Sequence, residues 1–219
     1  MKVLVDGWED GERRQQELEE PDRWGVQAAD ALIVESCGHC VRLKQDPSAL
    51  KTLGVGALLW EGALVLTQYM SIIPSKRWEG ARVVELGAGL GLAGILAGKL
   101  GARVTLTDVE AVLPVLQQNA DLNSDDVQFD VIALEWGSAK APEVIESLTS
   151  EPIDWVIASD FMYPETPGLH GNIDLEGGHP TATAFFDVAA ALCKPKRTRC
   201  LLAFEEGCRH EAASSLSLI

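Results

Sequence analysis

The 219-residue sequence predicts an α/β fold: a doubly wound, mostly parallel sheet with helices on both faces. Three observations predict it. From residue 82 onward, short apolar runs alternate with stretches of helical period, the pattern of strands joined by crossover helices. The first run passes directly into VVELGAGLGLAG at 83–94, where four glycines fall within eight residues. Two acids, Asp108 and Asp160, stand at the ends of later runs, where open sheets gather their ligands.

The elements follow in order. Residues 1–22, including GWEDGERRQQELEEP, carry dense charge with little apolar period and are expected to form a mobile tail. Residues 23–80 are expected to be a hairpin-and-helix extension. Its strands are 31–35 and 39–44, the second alternating Cys40, Arg42 and Lys44 against Val41 and Leu43. In ALLWEGALVLTQYM, Leu59, Ala63, Leu66 and Met70 sit at helical spacing, and the helix should end near Pro74. The main domain is expected over 81–219. Its strands are predicted at 82–86, 103–107, 127–132, 154–158 and 199–204, with helices at 90–100, 110–122, 138–148 and 181–192.

Composition bounds the partners. The net charge of −15, from 33 acidic and 18 basic residues, opposes nucleic-acid phosphates and anionic lipid and favours basic or neutral partners. Asp6 interrupts the opening apolar run too early for a signal peptide, and the uncharged stretch 86–98 is too short to cross a bilayer. A cytoplasmic protein is expected, with the nucleus also open. Five cysteines, an odd number, suit a reducing compartment.

A strand entering a helix through glycines leaves unpaired amides and a positive helix end facing outward. Gly87, Gly89 and Gly91 therefore read as a ligand loop, whereas Gly94 and Gly98 suit helix–strand packing. Gly89, Gly91 and Gly94 also match the dinucleotide pattern GxGxxG, and Asp108 lies 21 positions after Gly87 (108 − 87), close to the ~20 expected of a ribose-binding acid. Glu85 separates the candidates. A carboxylate beside the loop opposes a pyrophosphate but welcomes an ammonium and a sulfonium, the charges of S-adenosylmethionine.

On these residues the chain resembles the seven-β-strand methyltransferases, and within them the methyltransferase-like protein-lysine methyltransferases. VVELGAGLGLAGI is similar to their first motif, VTLTD to the next strand with its acid, ALEWG to the segment after their third strand, and IASDFMY to their DxxY signature. LLWEGALVLTQYM resembles the tryptophan-bearing helix before their first strand. The resemblance implies a Rossmann-like fold and S-adenosylmethionine as cofactor. Glu85, Gly87, Gly89 and Gly91 would line the cofactor loop, Asp108 would bind the ribose and Trp136 would pack on the adenine; Trp60 would also be cofactor-binding, its apolar helix leaving a core role open. Asp160 and Tyr163 would act on the acceptor, a lysine of a protein substrate, with a lysine-rich target favoured by the chain's charge.

Methyl transfer is an in-line displacement that needs no enzyme nucleophile, and the sequence offers no convincing one. Asp160 is expected to orient the amine more than to deprotonate it, because an adjacent carboxylate raises the lysine pKa. No metal is expected: Cys37-Gly38-His39-Cys40 lacks a second pair and suits a hairpin turn. The loop bearing His170 and His179 should cover the crevice. The family's sheet ends in two further strands, yet only 15 residues follow Phe204 here, so strands six and seven are expected to be missing and the fifth left uncovered. Rival readings are a methyltransferase for a protein histidine or a small-molecule amine, a catalytically silent binding module, and a nicotinamide oxidoreductase.

Overall fold

The computed structural model describes residues 1–9, 12–18, 23–49, 54–125, 127–161, 180–206 and 215–218. An N-terminal antiparallel sheet is built from β1 (Lys2–Glu9), β2 (Glu12–Glu17), β3 (Ala31–Ser36) and β4 (His39–Lys44), in the order β2-β1-β3-β4. A short helix, α1 (Arg23–Gln27), links its two hairpins, and α2 (Glu61–Met70) leads into the second sheet.

There, β5 (Arg82–Leu86), β6 (Arg103–Asp108), β7 (Phe129–Ala133), β8 (Trp155–Ser159) and β9 (Arg199–Glu206) run parallel. Between them come α3 (Leu92–Lys99), α4 (Leu113–Asp121), α5 (Ala141–Thr149) and α6 (Pro180–Leu192). A last strand, β10 (Ser215–Leu218), lies antiparallel on β9, giving the order β10-β9-β8-β5-β6-β7. The chain winds outward from β5 to β7 and then returns to lay β8 on the other side of β5. That reversal opens a crevice at the carboxyl ends of β5 and β8.

Two cores follow from the period-2 alternation of these strands. Val83, Ile157, Leu201 and Ala203 face α2 and α3, in a cluster that also takes in Leu64, Leu66, Met70, Ile95 and Leu96. Val84, Leu86, Val156, Ala158 and Leu202 face the opposite way, towards Leu148 of α5 and Phe185, Val188 and Leu192 of α6. The N-terminal sheet joins the first core through Val3, Val5, Leu32, Val34, Val41 and Leu43.

Two expectations are corrected. The charged start of the chain is not wholly a tail: β1 pairs with β3, burying Val3 and Val5, and β2 adds an outer strand beside it. Charge conceals this strand because an edge position tolerates it. The fifth parallel strand is not left bare either. Ser215–Leu218 pairs with Ala203–Glu206, so a strand forms where the sequence was expected to leave the fifth strand uncovered. A short alternating segment satisfies an open edge even when it is too brief to register as a strand by itself. Cys37 and Gly38, at φ 56° and 78°, form the two-residue turn joining β3 to β4. Such left-handed pairs match the twist of a hairpin.

Candidate active site

The crevice is assembled from four strand ends. After β5, Gly87, Gly89 and Gly91 adopt φ values of 62°, 54° and 85°. This alternating left-handed path keeps the main chain close to the strand ends, and side chains would strain it. At Gly87 a β-carbon would also meet the Trp136 ring at 3.0 Å.

The loop is fastened by its neighbours. Ala88 N donates to Thr107 O at 2.9 Å, and Gly91 N closes a turn on Ala88 O at 2.7 Å. Asp108, at the end of β6, accepts from Gly89 N and Val109 N, each at 2.7 Å. Burial pushes its carboxyl up to about 6 despite those two bonds. The side chain remains partly exposed, and each oxygen keeps a free lone pair for a further donor.

Glu85 lies elsewhere than expected. It shares its face of β5 with Val83, which packs towards α3, so its carboxyl projects beneath the loop. There it is 1% exposed and accepts from Gly94 N at 2.8 Å. Its pKa is raised to about 8, chiefly by desolvation, with the Gly94 bond lowering it and the charge of Asp108 raising it. Glu85 thus caps α3 from behind, since the residue at the helix's own N-cap, Gly91, provides no side-chain bond. The reading of Glu85 as a charge facing a cationic ligand is corrected accordingly: strand parity turns it inward.

After β7, Trp136 sets the edge of its ring against Gly87 and meets Phe185 of α6 edge-on at 5.1 Å. Its Nε1 is buried and has no hydrogen-bond partner among the described residues. After β8, Asp160 takes φ 48°, its amide donating to Ala203 O at 2.8 Å. Its carboxyl accepts from Gly62 N, in the first turn of α2, at 2.7 Å. Trp60 occupies the N-cap of α2 in extended conformation and lends no side-chain cap. It therefore stands partly exposed at the head of that helix, beside the Asp160–Gly62 contact.

Glu85, Gly87, Gly89, Gly91, Asp108 and Trp136 are thus brought together, with Asp160 after the adjacent strand β8 and Trp60 at the N-cap of the helix whose Gly62 it bonds. Tyr163 and both histidines, His170 and His179, lie outside the described residues. Among the described residues, no group of three metal-ligating side chains clusters, and no helix is long and apolar enough to cross a membrane.

The sequence reading passed over Gly62. A β-carbon there would collide with the Asp160 carboxyl, so glycine is what lets that carboxyl sit on the Gly62 amide. The signal was a glycine early in an otherwise good helix, which costs ~1 kcal/mol relative to alanine and calls for a packing reason.

Comparisons with known proteins bear on the family and the fold. The chain is 35% identical over 130 residues to the protein N-lysine methyltransferase METTL21A of Mus musculus, covering 58% of this chain and 56% of that one. It is 36% identical over 148 residues to EEF1A lysine methyltransferase 3 of Xenopus tropicalis, covering 65% and 62%. The chain thus spans a little over half the length of the curated relatives it matches. Among solved structures, a SAM-dependent methyltransferase from Agrobacterium tumefaciens superposes with a TM-score of 0.54 at 15% identity, over 94% of this chain and 60% of that one. The T. thermophilus 16S rRNA N2 G1207 methyltransferase, in complex with AdoMet and guanosine, superposes at 0.51 with 20% identity, over 93% and 50%. At those identities the likeness is one of fold. The family model described as lysine methyltransferase matches residues 40–168, more than half of the sequence, and the chain belongs to that family.

Proposed function

We propose that the protein transfers a methyl group from S-adenosylmethionine to a lysine side chain of a protein substrate. The observation that carries the proposal is the placement of the glycine loop and its bonded Asp108 after β5 and β6, with Asp160 after the adjacent parallel strand β8, within a chain of the lysine methyltransferase family.

The chain's own residues fit that cofactor. The partly exposed backbone at 87–89 offers a cradle without side chains, and Asp108 has lone pairs free for two ribose hydroxyls. Trp136 offers an aromatic wall beside Gly87 and a buried indole N–H awaiting an acceptor. When bound, S-adenosylmethionine supplies a methyl carbon made electrophilic by a sulfonium.

The protein's contribution is then position and charge. Asp160 is held in place by Gly62 N and its own bond to Ala203, so its carboxylate meets the crevice in a fixed orientation. There it attracts the incoming ammonium and aims the nitrogen lone pair once the proton has left to water. Holding two reactants in line is worth up to ~7–11 kcal/mol of barrier in favourable cases, enough for the reaction without an enzyme nucleophile.

The test is transfer of labelled methyl into a protein fraction, with the modified residue found by peptide mass spectrometry. Methyl-lysine supports the proposal. Label confined to histidine or to small amines moves the acceptor class, and binding without transfer makes the chain a silent module.

A further inference from the structure

Two asparagines of the α4 region are wholly buried, Asn119 and Asn123, each 0% exposed. They sit one helical turn apart and face β4, the open edge of the N-terminal sheet. Asn123 accepts from Arg42 N at 3.0 Å and donates to Arg42 O at 2.7 Å. Asn119 accepts from Lys44 N at 2.8 Å and donates to Lys44 O at 3.0 Å. Two side-chain amides thereby take the place of a fifth strand, closing an edge that would otherwise present bare backbone.

Their remaining bonds differ. Asn123 donates a second time to Asn119 O, within its own helical segment, at 2.8 Å. Asn119 donates instead to Leu90 O at 3.2 Å. Leu90 lies between Gly89 and Gly91, and its carbonyl belongs to the turn closed by Gly91 N on Ala88 O. A single buried amide therefore bonds both the edge of the N-terminal sheet and the glycine loop.

We propose that Asn119 is a positioning residue that uses the N-terminal sheet to set the conformation of the cofactor loop. Asn123 performs the same docking without touching the loop and serves as its internal control. A buried amide left half-satisfied is costly, so Asn119 keeps its geometry only while Lys44 and Leu90 are both in place. The N-terminal extension thus helps shape the loop on which the proposed cofactor reading rests.

Asn119→Ala and Asn123→Ala test this in the full chain. Each removes one reciprocal pair of bonds to β4, and both should lower the urea midpoint comparably. Calorimetric titration with S-adenosylhomocysteine, at a temperature where both variants are folded, should show Asn119→Ala binding about fivefold more weakly than Asn123→Ala, the ratio that ~1 kcal/mol for one hydrogen bond represents. In ligand-free protein, amide exchange at Gly91 should accelerate in Asn119→Ala alone. Should Asn119→Ala fail to fold, Asn119→Asp keeps the acceptor for Lys44 N, deletes the donors to both Lys44 O and Leu90 O, and takes its place in both readouts, still compared with Asn123→Ala. Equal affinity and equal Gly91 exchange in the two variants overturn the proposal. If the unaltered protein takes up no ligand, the cofactor reading fails instead, and Gly91 exchange still decides whether Asn119 sets the loop.

Discussion

Glu85 and Asp160 end neighbouring strands, and each accepts a hydrogen bond from the first turn of a helix that lacks a side-chain cap of its own. Glu85 serves Gly94 of α3, and Asp160 serves Gly62 of α2. In both cases the donor is a glycine whose β-carbon would collide with the carboxyl. The two sites share one construction, a carboxyl from a strand satisfying the orphan amides of an adjacent helix. They part company at the solvent. Glu85 points into the core beneath the loop, at 1% exposure, whereas Asp160 follows the end of β8 and remains partly open to the crevice. One carboxyl is thus committed to holding the cofactor loop, while the other can hold a helix and still meet a substrate cation.

Several variants would break or sharpen this contrast. The strongest stability effect is expected from Gly94→Ala, because the new methyl meets Glu85, Leu106 and Val104 inside the core. It should cost about 3 kcal/mol, read as a shift in urea midpoint. Asp160→Ala should instead act on turnover, lowering kcat/KM by ~100-fold, or about 2.7 kcal/mol of barrier, while affinity for S-adenosylhomocysteine stays within about twofold. Full turnover in a folded Asp160→Ala protein removes its assigned role.

Glu85 should also leave a mark on the pH dependence of stability. Its folded-state value is about 8 against an ordinary 4.5, so the folded chain keeps a proton that the unfolded chain releases. Stability from this group is therefore full below 4.5 and falls as pH rises towards 8, by up to ~1.4 kcal/mol per unit. Asp108, at about 6 against 3.8, adds to the fall over the lower part of that range. Urea midpoints from pH 5 to 8 should flatten in Glu85→Gln, which keeps an acceptor for Gly94. An unchanged slope contradicts the buried, protonated carboxyl. The smallest effect belongs to Gly62→Ala, about 1 kcal/mol, since Asp160 can swing outward into water. Its signature is reduced turnover with a midpoint shift about a third of that in Gly94→Ala.

Much of this contrast was legible in the sequence. The parallel strands and the glycine loop were legible through strand–loop–helix patterning, and Asp108, Trp136 and Asp160 stand at or after strand ends as that patterning placed them, because buried strands are mostly apolar and polar residues gather at their ends. The inward aim of Glu85 was legible too, from its parity with Val83, but its charge suggested a ligand-facing role. β1 and β2 were hidden because, among the described residues, β1 buries only Val3 and Val5, between Lys2 and Asp6, and β2 is an edge strand that carries the charges of Glu12–Glu17 at little cost. Asn119 and Asn123 gave no signal, since their partners are main-chain groups of a strand some 75 to 81 positions earlier. Nothing local in the sequence indicates such pairing.

The central claim is that the loop after β5 and the acid after β6 form one cofactor site, with Asp160 standing outside it on the acceptor side. Calorimetry with S-adenosylhomocysteine on the unaltered chain, Asp108→Ala and Asp160→Ala tests it most directly. The account predicts one-to-one uptake that Asp108→Ala abolishes and Asp160→Ala leaves intact. Uptake indifferent to Asp108, or no uptake by the folded unaltered chain, contradicts it.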